Sequence, residues 1–394
     1  MSSSSNPVNI LIAPDSFKGS LSAIQFCEIA QKVILQQMPK AKVWSTPLSD
    51  GGEGFIDSLL YNNLAQPISV TTQDPLHRPI QAQFAWQPAH KTAFIEMAQA
   101  SGITLLKPQE RNPLNTSTYG TGIMIQKAIQ MGATKIIIGL GGSATHDGAA
   151  GALQALGVPF YNQAGERIDF RQTGAAGLLQ LHHIGTIPQS LKTLDWILAA
   201  DVTTPLLGKQ GATAIFAPQK GASPQTLPIL EAGLGILAQK IEQILQKQIH
   251  HLAGSGAAGG FAAGFIGLLN AQLHPGFEVL KEALQLTKLI KKHPIQLMIT
   301  GEGKIDNQTL MGKLPYRVAK WFKTASSLTA PQTIGLCGQL AVQSLPYFDA
   351  LYTIHQTDTQ NNWHQLVAQT PSRLEQTLHK VIHSYIISNK LPKS

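Results

Sequence analysis

Acidic residues are scarce in this chain. Its 394 residues include 22 Asp and Glu against 30 Lys and Arg, which gives a formal net charge of +8 at pH 7 and a pI near 9.3. The basic residues are scattered, and no aromatic residues alternate with them as they do in proteins that bind single-stranded nucleic acid. The positive charge therefore comes from missing acids, and the sequence predicts no nucleic-acid partner.

Cysteine is almost absent as well. Cys27 and Cys337 are too few for a disulfide framework and lack the spacing of metal ligands. No basic leader with a long apolar run is visible, and the uncharged segment 253–273 contains six glycines. That segment predicts a glycine-rich turn opening a buried helix rather than a membrane span. We therefore expect a cytoplasmic protein without a membrane partner.

The sequence does contain a recurring series of short apolar runs that end in polar or glycine-rich turns. Residues 8–13 predict a strand, and the helical spacing of apolar residues over 20–38 predicts the helix that follows it. Similar strands are predicted at 135–140, 296–300 and 333–337, each followed by a glycine turn. Such a series indicates an α/β architecture whose parallel strands are covered on both faces.

A different pattern occupies the region that begins near residue 66. Its strand-like segments 68–70, 81–86 and 92–97 lie too close together for crossover helices, which predicts an antiparallel meander. The later strand–turn units resemble the N-terminal ones, so we expect one domain to be inserted in another.

The predicted fold is accordingly two α/β domains. We expect a Rossmann-like domain with a parallel sheet from residues 1–65 plus 290–394, and an inserted α/β domain with a mixed sheet from residues 66–289. The active site is expected in the cleft between them, because open α/β sheets bind ligands where their strands end.

Five turn segments concentrate the scarce acids. Together they cover 41 residues and hold seven of the 22 acidic residues, about three times their share by length. The segments are APDSFKGS (13–20), LSDGGEGF (48–55), GLGGSATHDG (139–148), AADVTTPL (199–206) and TGEGKID (300–306). Glycine-rich turns expose amides that hold phosphate, while carboxylates hold Mg²⁺ and accept a proton, so the combination is typical of phosphoryl transfer.

An alternative is a nicotinamide-dependent oxidoreductase acting on a small hydroxy acid. Gly139-Leu-Gly141-Gly142-Ser143-Ala144 fits the pattern G-x-G-x-x-A after a predicted strand, with Glu166 22 residues beyond Ala144. A second match at Gly254–Gly259 follows a predicted amphipathic helix, so it lacks the strand that a dinucleotide site needs. Four lysines lie within or beside the polar turns: Lys18, Lys220, Lys304 and Lys313. They could hold a substrate carboxylate or the phosphates of ATP as point charges, although each alone is more often an ordinary surface lysine.

Nine ordered motifs between residue 8 and about residue 340 resemble the bacterial type I glycerate kinases. They are APDSFKGSLSA (13–23), SDGGEG (49–54), IEMAQASGI (95–103), STYGTG (117–122), GLGGSATHDGAAGALQALG (139–157), ADVTTPLLG (200–208), FAPQKGA (216–222), GSGAAGGFAAG (254–264) and TGEGKIDNQTLMGK (300–313). The resemblance implies ATP-dependent phosphorylation of D-glycerate, usually to 2-phosphoglycerate and less often to 3-phosphoglycerate, in a two-domain α/β protein. The family more often has Asn at the position of His146.

We predict catalytic, metal-binding and phosphate-binding roles for individual residues of these motifs. We predict Asp201 as the general base, with Lys18 and Lys304 compensating anionic charge, and Asp50, Glu53 and Asp306 as direct or water-mediated Mg²⁺ ligands. The amides of Gly141, Gly142 and Ser143, and those of Gly256 and Gly259, are predicted to hold the phosphates of ATP. The expected partners are glycerate and ATP, and we expect a monomer or homodimer.

Overall fold

The computed structural model describes residues 7–17, 19–355 and 363–389. Its strands are β1 (Asn9–Ile12), β2 (Lys42–Ser45), β3 (Gln66–Gln73), β4 (Pro79–Gln87), β5 (Thr92–Glu96), β6 (Lys135–Gly139), β7 (Phe160–Tyr161), β8 (His183–Ile184), β9 (Asp195–Ala199), β10 (Gln272–His274), β11 (Leu297–Ile305), β12 (Gln332–Leu340) and β13 (Ala350–Thr353).

The α-helices alternate with these strands along much of the chain. They are α1 (Ala23–Gln37), α2 (Phe55–Tyr61), α3 (Ala98–Ser101), α4 (Tyr119–Gln130), α5 (Ala150–Ala155), α6 (Phe170–Thr173), α7 (Gln189–Lys192), α8 (Ala212–Phe216), α9 (Leu227–Leu245), α10 (Ala257–Leu269), α11 (Gly276–Ala283), α12 (Leu286–Lys292), α13 (Leu314–Ala325) and α14 (Trp363–Ser388). Within the described residues, no helix is long and apolar enough to cross a membrane.

The chain divides into two compact units, each with its own sheet. Unit 1 contains residues 1–50, 57–62 and 277–394, and unit 2 contains residues 51–56 and 63–276. The limits of residues 65 and 289 that the sequence suggests for the domains stay a prediction.

Unit 1 is built on a fully parallel sheet of five strands in the order β13-β12-β11-β1-β2. Its core joins apolar side chains of the sheet, such as Ile10 and Ile299, to Phe26 of α1 and Leu378 of α14. Helix α1 begins at a capping box, in which the Ser22 side chain accepts a hydrogen bond from the amide of Gln25 and the Gln25 side chain accepts one in return. The strand and helix predicted over 8–38 are confirmed.

Unit 2 is built on a mixed sheet in the order β10-β9-β6-β5-β4-β3. The hairpin β3–β4 and the pair β4–β5 are antiparallel, so the predicted meander is confirmed. From β5 onward the neighbours β6, β9 and β10 are parallel. The predicted fold class, an α/β chain with one parallel and one mixed sheet, is confirmed.

Two predicted strand ends in unit 1 are wrong. The sequence places turns after Thr300 and Cys337, but β11 and β12 continue side by side, with Glu302 opposite Cys337 and Lys304 opposite Gln339. Gly301 does not break the strand, because it lies in close contact with its neighbour: a Cβ there would lie 2.3 Å from the carbonyl oxygen of Leu336. Glycine can mark a close backbone approach in a strand as well as a turn.

Candidate active site

Four parallel strands of unit 2 end at the same edge of its sheet. The last residues of β5, β6, β9 and β10 are Glu96, Gly139, Ala199 and His274, and the hydrogen-bond register pairs Glu96 with Gly139, Gly139 with Ala199, and Ala199 with His274. Loops that follow such strand ends form the ligand-binding edge of open α/β sheets. The predicted turns 139–148 and 199–206 both lie at this edge.

The loop 139–148, which we call the glycine loop, begins in close contact with the segment 51–54. The amide of Gly141 donates to the carbonyl oxygen of Gly51 at 3.0 Å, and a Cβ on Gly141 would lie 2.4 Å from Cα of Gly52. Gly142 has φ +72°, which glycine adopts without a steric penalty. Glycine is therefore required for backbone contact and conformation at these positions.

The middle of the glycine loop is fixed by hydrogen bonds from other elements. Ala144 donates its amide to the carbonyl of Ser101 at 2.8 Å, and Ile103 donates its amide to the carbonyl of Gly142 at 2.9 Å. The hydroxyl of Thr116 donates to the carbonyl of Ala144 at 3.1 Å. The backbone around Ser143 is therefore held on both sides.

Asp147 is a fully buried carboxylate at the end of this loop. Its Oδ2 accepts hydrogen bonds from the amide of Thr118 at 2.8 Å, the hydroxyl of Thr118 at 2.9 Å and the amide of Gly151 at 3.2 Å. Burial raises the pKa of Asp147, while these donors oppose the rise because they favour the charged form. Asp147 thereby ties the glycine loop to the start of α4.

His146 is buried beside it and remains neutral. Its Nε2 lies 3.0 Å from the hydroxyl of Thr213, and burial, with a smaller contribution from the charge of Lys220, lowers the pKa of the imidazole to about 3. The sequence leaves open whether this imidazole adds a positive charge where the resembling family more often has Asn. Around neutral pH it adds none.

Lys220 is a buried lysine that contacts the glycine loop. It ends a 3-10 helix, Pro218–Lys220, and is only 2% exposed, so of the two interpretations that the sequence leaves open, the ordinary surface lysine is wrong. Its Nζ donates to Ser143 Oγ at 2.8 Å and to the carbonyl oxygen of Thr145 at 2.7 Å. Burial lowers the pKa of the ammonium to about 7, against the opposing effect of the Asp147 charge.

The glycine-rich segment 254–260, which leads into α10 and includes its first residues, lies against the glycine loop. The amide of Gly148 donates to the carbonyl of Gly259 at 3.1 Å, and the amide of Gly256 donates to the carbonyl of Thr204 at 3.0 Å. Ala258, Gly259 and Gly260 all have positive φ, so the regular part of the helix starts after them. The predicted turn opening a buried helix is confirmed.

The candidate general base follows β9. Asp201 is partly buried, and its Oδ1 accepts a hydrogen bond from the amide of Gly276 at 3.1 Å. Its position at the edge described above brings it into the same unit as the glycine loop and the 254–260 turn.

The remaining candidates of unit 1 lie after its parallel strands β2 and β11. Asp50 follows β2, and Asp306 follows β11. Asp306 is flanked by two ammonium groups: Lys313 Nζ lies 3.3 Å from its Oδ1, and Lys304 Nζ lies 3.4 Å from its Oδ2. Lys313 also lies 3.8 Å from Glu302 Oε2. The end of β11 and the residues that follow it therefore bring acidic and basic side chains together.

The remaining two predicted site residues are Glu53 and Lys18. Glu53 is exposed in the segment 51–56 of unit 2. Lys18 lies outside the described residues. Within residues 7–17, 19–355 and 363–389, no group of three His, Cys, Asp or Glu side chains is arranged to hold a metal ion. A nucleotide-bound Mg²⁺ needs fewer, because it takes one or two carboxylates together with phosphate oxygens and water.

Sequence reasoning also missed polar residues that build this edge. Thr118 lies in the motif STYGTG, but only the structure reveals its two hydrogen bonds to Asp147. Glu96 ends β5, is 4% exposed, and accepts a hydrogen bond from the amide of Ile56 at 2.9 Å. A charged residue at the end of an otherwise apolar strand is the signal that could have identified Glu96.

The features of a dinucleotide site are missing around Gly139. The glycine loop does not open a helix, because α5 begins only at Ala150. Glu166 lies in a turn, where its carboxylate accepts a hydrogen bond from the Asn162 amide group at 2.9 Å. The geometry therefore does not favour the oxidoreductase alternative, which needs a helix N-terminus for the pyrophosphate.

Comparison with known proteins supports a kinase. The model of the glycerate kinase family matches residues 10–386. Glycerate kinase of Bacillus subtilis (strain 168) is 38% identical over 353 residues, which cover 88% of this chain and 90% of that protein. Glycerate 2-kinase of Escherichia coli (strain K12) is 40% identical over 333 residues, which cover 84% of this chain and 86% of that protein.

A solved structure is similar over nearly the whole chain. It is provisionally named glycerate kinase 2, from Salmonella typhimurium LT2, and it superposes with a TM-score of 0.84 at 35% identity, covering 98% of this chain and all of that one. On the strength of the family match over most of its length, the chain belongs to the glycerate kinase family and is a phosphotransferase.

Proposed function

We propose that the protein is an ATP-dependent glycerate 2-kinase, which transfers the γ-phosphoryl group of ATP to the 2-hydroxyl of D-glycerate in the presence of Mg²⁺. The observation that carries this proposal is the glycine loop at the carboxyl edge of the unit 2 sheet, fixed by backbone hydrogen bonds and by the buried Lys220. A relative that is named glycerate 2-kinase supports the choice of the 2-hydroxyl over the 3-hydroxyl.

The phosphates of ATP fit the glycine-rich turns of unit 2. Gly142 and Ser143 lie in the fixed part of the glycine loop, where backbone amides can meet phosphate oxygens without reorganisation. The amides of Gly141 and Gly256 already donate to Gly51 and Thr204, so these two glycines would serve by permitting close backbone approach. The positive φ at Gly259 gives the first turn of α10 a left-handed backbone, of the kind that forms anion-binding concavities.

Carboxylate oxygens are the ligands that Mg²⁺ prefers, and Asp50, Glu53 and Asp306 supply them. When bound, Mg²⁺ would neutralise the charge that develops on the transferring phosphoryl group. Asp306 also holds Lys304 and Lys313 near it, and these ammonium groups can compensate the charge of an anionic substrate. Lys18 is proposed for the same role.

Asp201 is proposed to accept the proton of the attacking hydroxyl. The amide of Gly276 donates to Oδ1, which fixes the orientation of the carboxylate. The hydroxyl oxygen then attacks the γ-phosphorus. The bond between the γ-phosphorus and the oxygen that bridges it to the β-phosphate breaks, so ADP leaves, and Asp201 keeps the proton of the hydroxyl. Phosphoryl transfer of this kind depends on positioning and charge more than on covalent chemistry, which suits a rigid loop scaffold.

The product assay tests the proposal directly. ATP and D-glycerate are incubated with the protein, and product is detected through enolase, with phosphoglycerate mutase absent or present. A signal without mutase is expected, because enolase accepts 2-phosphoglycerate. A signal that requires mutase would assign the 3-phosphate instead, and a lack of ADP release in every condition would overturn the kinase proposal. Loss of turnover on adding EDTA, restored by Mg²⁺, would support the metal requirement.

A further inference from the structure

The hydrogen bond between Lys220 and Ser143 of the glycine loop has a defined donor and acceptor. Lys220 Nζ donates to Ser143 Oγ at 2.8 Å. A serine hydroxyl has one hydrogen to donate and two lone pairs that accept. Since a lone pair of Ser143 is taken by the ammonium, the hydroxyl hydrogen of Ser143 points away from Lys220 and is available to an acceptor elsewhere.

The two side chains differ in access to solvent. Lys220 is 2% exposed and Ser143 is 9% exposed. Both are buried, and the Ser143 side chain is the more accessible of the two, while the ammonium of Lys220 is engaged by Ser143 Oγ and the Thr145 carbonyl. An ammonium that donates to a hydroxyl also makes that hydroxyl a stronger donor, because hydrogen bonds in a chain polarise one another.

The same ammonium fixes the backbone beneath the hydroxyl. Lys220 Nζ donates to the carbonyl of Thr145 at 2.7 Å, two residues beyond Ser143. Together with the bond from the Ala144 amide to the Ser101 carbonyl, this contact holds Ser143 in one place. Lys220 thus sets both the position of Ser143 and the direction of its hydroxyl.

Two ionisable side chains interact electrostatically with Lys220. Asp147 contributes a buried carboxylate that favours the charged lysine, and His146 is uncharged near neutral pH. Ser143, Thr145 and Thr118 are uncharged polar groups in the same region. The charge of Lys220 is therefore the one that decides which way the Ser143 hydroxyl donates.

We propose that the Ser143 hydroxyl donates a hydrogen bond to a phosphate oxygen of the nucleotide, and that Lys220 is a positioning residue that acts on the phosphate only through Ser143. This inference rests on the proposed ATP-dependent activity and adds a side-chain donor to the backbone amides of the loop. When Lys220 loses its proton, its amine becomes an acceptor, the Ser143 hydroxyl turns toward it, and the donor to phosphate is lost.

Binding of MgADP by the full-length protein, measured calorimetrically from pH 7 to 9.5, tests the inference. Phosphate ionises with a pKa near 6, so the ligand itself changes little over this range. Wild-type affinity is expected to fall as the pH rises, and Ser143→Ala is expected to bind about tenfold more weakly at pH 7, with a flat pH profile. Ser143→Thr, which keeps the hydroxyl, is expected to restore most of the affinity.

A double-mutant cycle separates this role from a merely structural one. Lys220→Met and Ser143→Ala are each expected to weaken MgADP binding. The double variant is expected to bind MgADP about as well as the single variant with the lower affinity, because both substitutions remove the same hydrogen-bond donor to phosphate. Lys192→Met, at an exposed helical lysine of unit 2, is the matched control and should bind like the wild type.

The outcomes distinguish the two proposals. Ser143→Ala that binds MgADP like the wild type, or losses that add in the double variant, would overturn the Ser143–Lys220 inference while leaving the kinase activity standing. If Lys220→Met fails to fold, the Ser143→Ala and Ser143→Thr profiles still decide it. A wild-type protein that does not turn over ATP and D-glycerate would overturn the proposed function itself.

Discussion

Gly259 lies so close to the glycine loop that its α-hydrogen faces the carbonyl group of Thr145. A Cβ at Gly259 would lie 2.3 Å from that carbonyl oxygen and 2.7 Å from Cα of His146. Both contacts are with backbone that cannot move as a side-chain end does, and Gly259 also has φ +68°. The backbones of the 254–260 turn and the glycine loop therefore pack in direct contact at Gly259.

Gly259→Ala is expected to destabilise the protein by about 2 kcal/mol or more and to lower turnover, because the backbone of the glycine loop must shift to admit the methyl group. Chemical denaturation and the coupled kinase assay measure the two effects. Gly235→Ala is the control: Gly235 lies within α9 with no heavy atom within 4 Å of an added Cβ, so this change is expected to stabilise the helix by about 0.5–1 kcal/mol. Equal stability of the two variants would contradict the packing argument.

Acid is expected to destabilise the wild type through His146. The folded-state pKa of about 3 lies below the ordinary value of 6.5, so between these values the unfolded chain binds a proton that the folded chain does not. Stability is therefore lost as the pH falls below 6.5. His146→Asn removes this titration, and from pH 7.5 to 4.5 its free energy of unfolding should improve relative to the wild type by about 3 kcal/mol.

Urea denaturation at both pH values measures this change. The comparison is between pH values for one pair of proteins, so any constant cost of the Asn side chain cancels. The exposed His182 supplies a control substitution, His182→Asn, which should follow the wild type. If His146→Asn lost as much stability in acid as the wild type does, His146 would not be the buried neutral imidazole described above.

Much of the fold could be predicted from the sequence, because the signals for strands, for the α1 helix and for the meander are local. The apolar run before residue 139 and the glycines after it indicate a strand and a turn regardless of the rest of the chain. The C-terminal end of β11 was predicted wrongly, because Gly301 was interpreted as a turn residue and its close contact with the neighbouring strand is a long-range property.

The candidate site was predicted in outline only. The glycines of the loop stand out in the sequence, but the burial of Lys220 depends on Ser143 and Thr145, which lie 77 and 75 residues away along the chain. No local pattern distinguishes such a lysine from an exposed one. The roles predicted for Asp201, Gly141 and the three Mg²⁺ candidates likewise stay predictions, because they concern ligands.

Lys220 is expected to make the stability of the wild type depend on pH above neutrality. Its folded-state pKa of about 7 lies below the ordinary value of 10.5, so between these values the unfolded chain binds more protons than the folded one. Wild-type stability therefore rises with pH across this window. Lys220→Met lacks the titration, so its stability relative to the wild type should fall by about 1 kcal/mol from pH 7.5 to 8.5.

Denaturation curves of the two proteins at matched ionic strength measure the difference. Lys192→Met serves again as the exposed control and should keep a constant difference from the wild type over the same pH range. A constant difference for Lys220→Met as well would mean that the ammonium is not destabilised by burial.

Asp147 is expected to tolerate an amide but not a methyl group. In Asp147→Asn the remaining oxygen can still accept the hydrogen bonds from Thr118 and Gly151, whereas Asp147→Ala leaves those buried donors without their acceptor. We expect Ala to cost about 3 kcal/mol of stability and Asn clearly less. Thermal and urea unfolding of both variants test the ordering, and a similar loss for both would mean that the charge of Asp147, rather than its hydrogen bonds, stabilises the loop.

Asp201→Asn is expected to lower kcat by about 10²- to 10⁴-fold, since an amide cannot accept the hydroxyl proton, while the KM for D-glycerate changes little. The Asn oxygen can still accept the hydrogen bond from the amide of Gly276, so the fold should be retained. Asp195→Asn is the matched control: it lies at the other end of β9 in a half-exposed ion pair with Lys135, whose contribution to stability is small, and it should leave kcat unchanged. Steady-state kinetics of the three proteins decide the point, and a folded Asp201→Asn with wild-type kcat would require a different general base.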